Sequence, residues 1–147
     1  AIPFPVFLSL PFYMLHQYEE HDNNRFVAFL NGMLPEDKNG LSTLDVWVIN
    51  VVFVWFLLLA AFYLALLNPG WGVLAGYLLG VNALLHLAWA AAFKRYNPGL
   101  WTAAFMLIPC SAWIFVTLPA DWTIHVASLS VVIILHMGIM ITANRPA

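Results

Sequence analysis

Four apolar runs, each close to membrane-crossing length, follow one another from Leu44 to Ala143, and they constrain this chain more than any other feature. Leu44 to Leu67 stops at Asn68-Pro69-Gly70, and Trp71 to Phe93 stops at the stretch Lys94 to Gly99. Trp101 to Leu118 stops at Pro119-Ala120-Asp121, and Trp122 to Ala143 closes the series. About 20 apolar residues cross a bilayer core as a helix. In lipid, only helices and closed barrels satisfy their own backbone groups. The Pro and Gly residues between the runs stop helices and open turns. The composition agrees: 8% of the 147 residues are charged and 63% are hydrophobic, whereas a water-facing domain carries about 25% charge. The expected fold is all-α, an integral membrane bundle forming one domain over residues 1–147. A fifth span is expected over residues 5–30, apolar at both ends and polar in the middle.

With five spans, Lys38, Lys94, Arg95 and Arg145 fall on one side, and the other side carries no Lys or Arg. The positive-inside rule then puts the N-terminus outside and the C-terminus in the cytoplasm. Trp71 and Trp122 would mark the outer interface, and Trp47 and Trp101 the inner one. A net charge of -2 excludes a basic nucleic-acid surface. Cys110 is the single cysteine, so neither an intramolecular disulfide nor a cysteine metal site is expected. No signal peptide is read at the start of the chain. Gly72, Gly76 and Gly80 form a small-residue stripe suited to close helix packing.

The polar residues within these apolar runs point to a site. At a rise of about 1.5 Å per residue, His16 lies roughly 17 Å and Glu20 roughly 23 Å from the outer end of the first segment. His86 lies at about 22 Å, Asn82 at about 16 Å, His136 at about 21 Å and Asn50 at about 25 Å in theirs. Four helices therefore bring polar groups to one layer. On a straight helix Glu20, Glu19 and Asn23 stand within about 60° of His16, whereas His21, Asp22 and Arg25 point elsewhere. Asn82 and His86, four apart, stack on one face.

Ionisable groups inside a membrane are expensive, face the bundle interior, and mark a functional site by default. Carboxylates and imidazoles together suit zinc, iron or manganese. The expected metal ligands are His16, Glu20, His86 and His136, with Glu19 as a further ligand or general base. Desolvation also brings such groups toward neutral titration, so the same set can do acid–base work. Blander readings stand beside these. The first segment can lie on the membrane as an amphipathic or re-entrant helix. The Glu–His set can be structural glue. His136 alone can be a satisfied core histidine, and His125 belongs to the interface.

His16-Gln17-Tyr18-Glu19-Glu20 spells H-x-x-E-E, followed by Asn82 and His86 and then by Tyr96-Asn97-Pro98-Gly99. In that order the chain resembles the HXXEE-motif family of small bacterial membrane proteins, over most of its length. The resemblance implies a functionally uncharacterised family suspected of being enzymatic. It points to His16, Glu19, Glu20, His86 and Tyr96 as site residues, while His136, Asn50 and Asn23 rest on depth and facing alone.

The leading expectation is a metal-dependent enzyme in the bacterial inner (plasma) membrane. It would act on a lipid-like or other hydrophobic substrate, with Glu19, Glu20 and Tyr96 catalytic, Asn23, Asn50 and Asn82 supporting, and zinc, iron or manganese as cofactor. The competing expectations are a metal-free acid–base isomerase or cyclase on the same residues, and a non-enzymatic proton or ion path or lipid-binding module. Membrane lipid and a hydrophobic small molecule are the expected partners, with homo-oligomerisation possible and nucleic acid excluded.

Overall fold

A computed structural model describes residues 3–146. Among them the fold is all-helical, and the only β-type pairing is an isolated bridge between Lys38 and Pro146. The helices are α1 (Phe4–His21), α2 (Arg25–Asn31), α3 (Thr43–Leu67), α4 (Pro69–Phe93), α5 (Leu100–Thr117) and α6 (Trp122–Ala143). Helices α3 to α6 are each long and apolar enough to cross a membrane. They correspond to the four apolar runs, with ends shifted by one or two residues.

The first segment differs from the continuous run expected over residues 5–30. It breaks at Asp22–Asn24, where Asn23 and Asn24 both take φ of 55°. Asparagine is among the few residues that enter this left-handed region readily. Arg25 secures the break, donating to the Glu19 and Asp22 carbonyls and pairing with the Asp22 carboxylate at 3.2 Å. This accounts for Asp22 and Arg25, which straight-helix geometry left without a role.

Local signals define the other helix ends. Ser42 and Asp45 form a capping box at the start of α3. Asp121 accepts from the Ile124 amide at the start of α6. Asn68 accepts from the Gly70 amide, and Pro69 opens α4 where a missing N–H is harmless. In α5 a π-helical stretch, Ala103–Leu107, lies just before Pro109. A proline withdraws one N–H and crowds the carbonyl four residues back, which favours a widened turn there.

α4 is the central helix, packing against α5, α6, α3 and α1. Its glycine stripe is used inside the bundle: Gly76 meets Ile114 and Phe115, Gly80 meets Ser111, and Ser111 Oγ donates to the Gly76 carbonyl at 2.8 Å. Leu58, Leu78, Leu79, Leu107 and Ile114 fill the core. Phe56, Phe105, Ile134 and Ile141 remain exposed on the outside, as lipid-facing positions do. Between α3, α4 and α6 lies a cavity of ≈ 580 Å³, and α1 and α2 close one side of it.

Candidate metal centre

The centre is built where α1, α4 and the α4–α5 connection meet. His16 and Glu20 stand one helical turn apart on α1, so their side chains share a face. His86 on α4 faces them. Glu20 Oε1 lies 3.0 Å from His86 Nε2 and 3.3 Å from His16 Nε2. All three residues are buried, and their ligand atoms lie within 4.8 Å of one another.

Hydrogen bonds on the far side of each ring settle its tautomer. The Asn97 amide donates Nδ2–H to the His86 carbonyl at 2.9 Å, so its Oδ1, 2.7 Å from His86 Nδ1, must accept. His86 therefore carries its proton on Nδ1. Thr102 Oγ1 has one proton and donates it to Glu19 Oε2 at 2.6 Å. At 2.8 Å from His16 Nδ1, that same oxygen accepts, so His16 also carries its proton on Nδ1. With neutral rings, both Nε2 atoms would then direct lone pairs at a single carboxylate oxygen. His16 Nε2 is buried and makes no hydrogen bond.

Glu19 points the other way. Its carboxylate accepts from the Tyr96 hydroxyl at 2.8 Å, the Trp101 amide at 3.2 Å, and the Thr102 amide at 2.8 Å as well as the Thr102 hydroxyl. These donors surround the N-terminus of α5, where free amides and the helix dipole favour an anion. Tyr96 sits outside the helices in the α4–α5 connection. Partial burial and the Glu19 carboxylate raise its phenol above the ordinary value.

Gly99 closes the centre from above. It has φ of +93°, and a Cβ there would lie 2.7 Å from His16 Cε1, 2.8 Å from Glu20 Cγ and 2.8 Å from His86 Cε1. The Tyr96-to-Gly99 turn thus supplies an anchor for Glu19, the Asn97 acceptor, and a residue small enough to sit against both rings.

Of the residues singled out in the sequence, His16, Glu20 and His86 form the cluster, with Glu19 and Tyr96 adjoining it. His136, Asn50 and Asn82 line the cavity beside it. His136 Nδ1 donates to its own helix, to the Val132 carbonyl at 2.8 Å. Asn23 is exposed and donates to Asp22, because the helix break turns it away from the His16 face. His21, expected to point elsewhere, lines the cavity; its Nε2 lies 3.5 Å from Glu20 Oε2 and 2.9 Å from Asn50 Nδ2. Thr102 and Asn97 are the orienting residues that the sequence did not single out. Asn97 lies inside the Tyr96-to-Gly99 motif, whereas Thr102 carries no signal of its own.

A family model described as a protein of unknown function with HXXEE motif matches residues 7–114. Among curated proteins and among solved structures, nothing matches.

Proposed function

We propose that this chain, which belongs to the family of proteins of unknown function with the HXXEE motif, is a membrane enzyme with one metal ion on His16, Glu20 and His86. One observation carries this reading: two Nε2 lone pairs and a carboxylate oxygen converge in a buried space with no proton count that serves them all. A proton between Glu20 and His86 leaves His16 Nε2 orphaned, and an unpaired buried acceptor is costly. Protonating both rings sets two imidazolium cations against each other, their ring centroids 4.9 Å apart in a dry site. A metal cation satisfies all three at once. Bonds of about 2.0–2.1 Å at tetrahedral to right angles separate two ligand atoms by roughly 2.9–3.4 Å, and the N···O separations here are 3.0 and 3.3 Å.

Thr102 and Asn97 orient the imidazoles as outer partners of metal-bound histidines do. The donor set suits zinc, iron or manganese. Three protein ligands leave a coordination position open, and the cavity reaches Glu20 and His86. A metal there would supply Lewis acidity for activating water, or redox chemistry. The substrate is hydrophobic, in keeping with the cavity's apolar walls.

Element analysis of the purified protein tests this. One equivalent of metal is expected in the wild type after loading, and less than about a tenth of that in His86→Ala. No bound metal under any loading condition would sink the reading. The second reading is metal-free acid–base catalysis, favoured by the 3.0 Å Glu20–His86 separation, which one shared proton also fits. It predicts that turnover survives chelation.

α1 is the fifth span in this reading. The N-terminus is outside and the C-terminus inside, in a plasma membrane. Packing of α1 against α3, α4 and α5 supports this. So does the gathering of basic residues at one end: Lys38 pairs with Pro146, Arg145 with Asp45, and Arg95 stacks on Phe29.

A further inference from the structure

The cavity beside the centre is selective in its chemistry. Its ≈ 580 Å³ falls within the range of small-molecule sites. Met137, Met140 and Ile141 of α6 line it and are also exposed on the outside of the bundle. Its mouth therefore lies on the apolar flank, which the proposed topology sets in lipid. No Lys or Arg lines it among the described residues.

Its lining offers lone pairs at Asn82 and His136, and donors at the Tyr13 hydroxyl and the Trp89 indole N–H. Asn82 donates Nδ2–H to the Tyr13 oxygen at 3.2 Å, which leaves Asn82 Oδ1 buried without a donor. His136 uses Nδ1–H on Val132, so in its neutral form Nε2 presents a lone pair without a partner among the described residues. The Tyr13 hydroxyl accepts from Asn82, and its own proton remains free to donate. An anionic headgroup would set its oxygens against these lone pairs with no side-chain cation to offset them, the charge of the proposed metal being met by the Glu20 carboxylate and the neighbouring Glu19. An ether or ester oxygen only accepts. A hydroxyl donates to Asn82 Oδ1 or His136 Nε2 and accepts from Tyr13, so it satisfies groups that are otherwise unpaired.

We infer that the site takes an uncharged lipid bearing a free hydroxyl, a long-chain alcohol in chemical terms. Its hydroxyl lies beside Asn82 and His136, and its chain runs along Leu78, Ile133 and Ile139 toward the α6 mouth. This names the substrate class of the centre proposed above and rests on that reading.

Equilibrium binding of radiolabelled 1-hexadecanol, hexadecyl methyl ether and hexadecyl phosphate to the purified protein in nanodiscs tests the inference. The alcohol is expected to bind at least about tenfold more tightly than either competitor, the scale of one buried hydrogen bond between otherwise unpaired groups. Asn82→Leu and His136→Phe are each expected to shrink that preference to within about threefold. Equal binding of the three probes, tighter binding of the phosphate, or a preference untouched by both variants overturns the inference. The wild-type series decides it even if a variant fails to fold. Metal content of the same preparations separates the two readings. Bound metal without alcohol preference removes the substrate class alone. Alcohol preference in protein that takes up no metal removes the metal reading alone.

Discussion

Gly99 is where the geometry of the centre depends on a single hydrogen atom. A methyl group there would press on His16, Glu20 and His86 together, in a backbone region that L side chains rarely adopt. Gly99→Ala is therefore expected to lower the melting temperature in detergent and to abolish metal uptake. Gly138→Ala, in the interior of α6 where a Cβ meets nothing within 4 Å, is expected to leave metal uptake unchanged and not to lower the melting temperature. If Gly99→Ala binds metal normally, the close fit around the centre is refuted. Thr102 acts through His16. Thr102→Val removes the acceptor for His16 Nδ1–H, freeing the ring to take the other tautomer. Loss of such an outer partner typically weakens metal binding by about 10–100-fold, and Thr102→Ser is expected to restore it. Competition against a metal-chelating dye measures both variants, and equal affinity for Val and wild type would remove Thr102 from the site. At this scale the histidines and glutamates were legible, because titratable groups stand out in an apolar chain. Thr102 was not, since a threonine near a helix start has a local explanation and its contact with His16 spans 86 residues of sequence.

The element scale explains why two adjacent glutamates do different things. Glu20 faces the α1–α4 seam, and Glu19, one residue earlier, faces the N-terminus of α5. Glu19 does there what a capping side chain does, but from another helix. Glu19→Gln replaces one acceptor oxygen with a donor, which must face either the Trp101 amide and Tyr96 hydroxyl or the Thr102 amide and hydroxyl. A lost cap is worth about 1 kcal/mol, so amide exchange over Leu100–Thr102 is expected to quicken by roughly fivefold, while exchange in α6 stays the same. Unchanged exchange at the start of α5 would refute the capping role. The break at Asp22–Asn24 shows where periodicity fails. A constant angle per residue placed Asn23 on the His16 face, but that angle holds only while the helix continues. Two consecutive asparagines enter the left-handed region readily, but the apolar residues that resume at Phe26 make the stretch look continuous.

For the whole molecule, the proposed topology makes a direct prediction. In a Cys110→Ala background, Phe4→Cys and Asn68→Cys are expected to react with an impermeant maleimide on intact cells, and Lys38→Cys only after permeabilisation. Labelling of Phe4→Cys from the inside alone would mean that α1 does not cross. The reverse pattern at Asn68 and Lys38 would invert the bundle. By itself, the sequence determined the helical class, four of the helices, the glycine stripe, and the residue types of the site. Each of these follows from local chemistry: apolar run length, helix-stopping turns, and the cost of burying charge. The tertiary structure decided what each polar group does. It turned Glu19 to a helix end and Glu20 to two imidazoles. It brought His21 into the cavity, and left His136 at the wall with its Nδ1 proton on its own helix. Those outcomes depend on which helix lies opposite, and a rotation of one residue, about 100°, exchanges one partner for another.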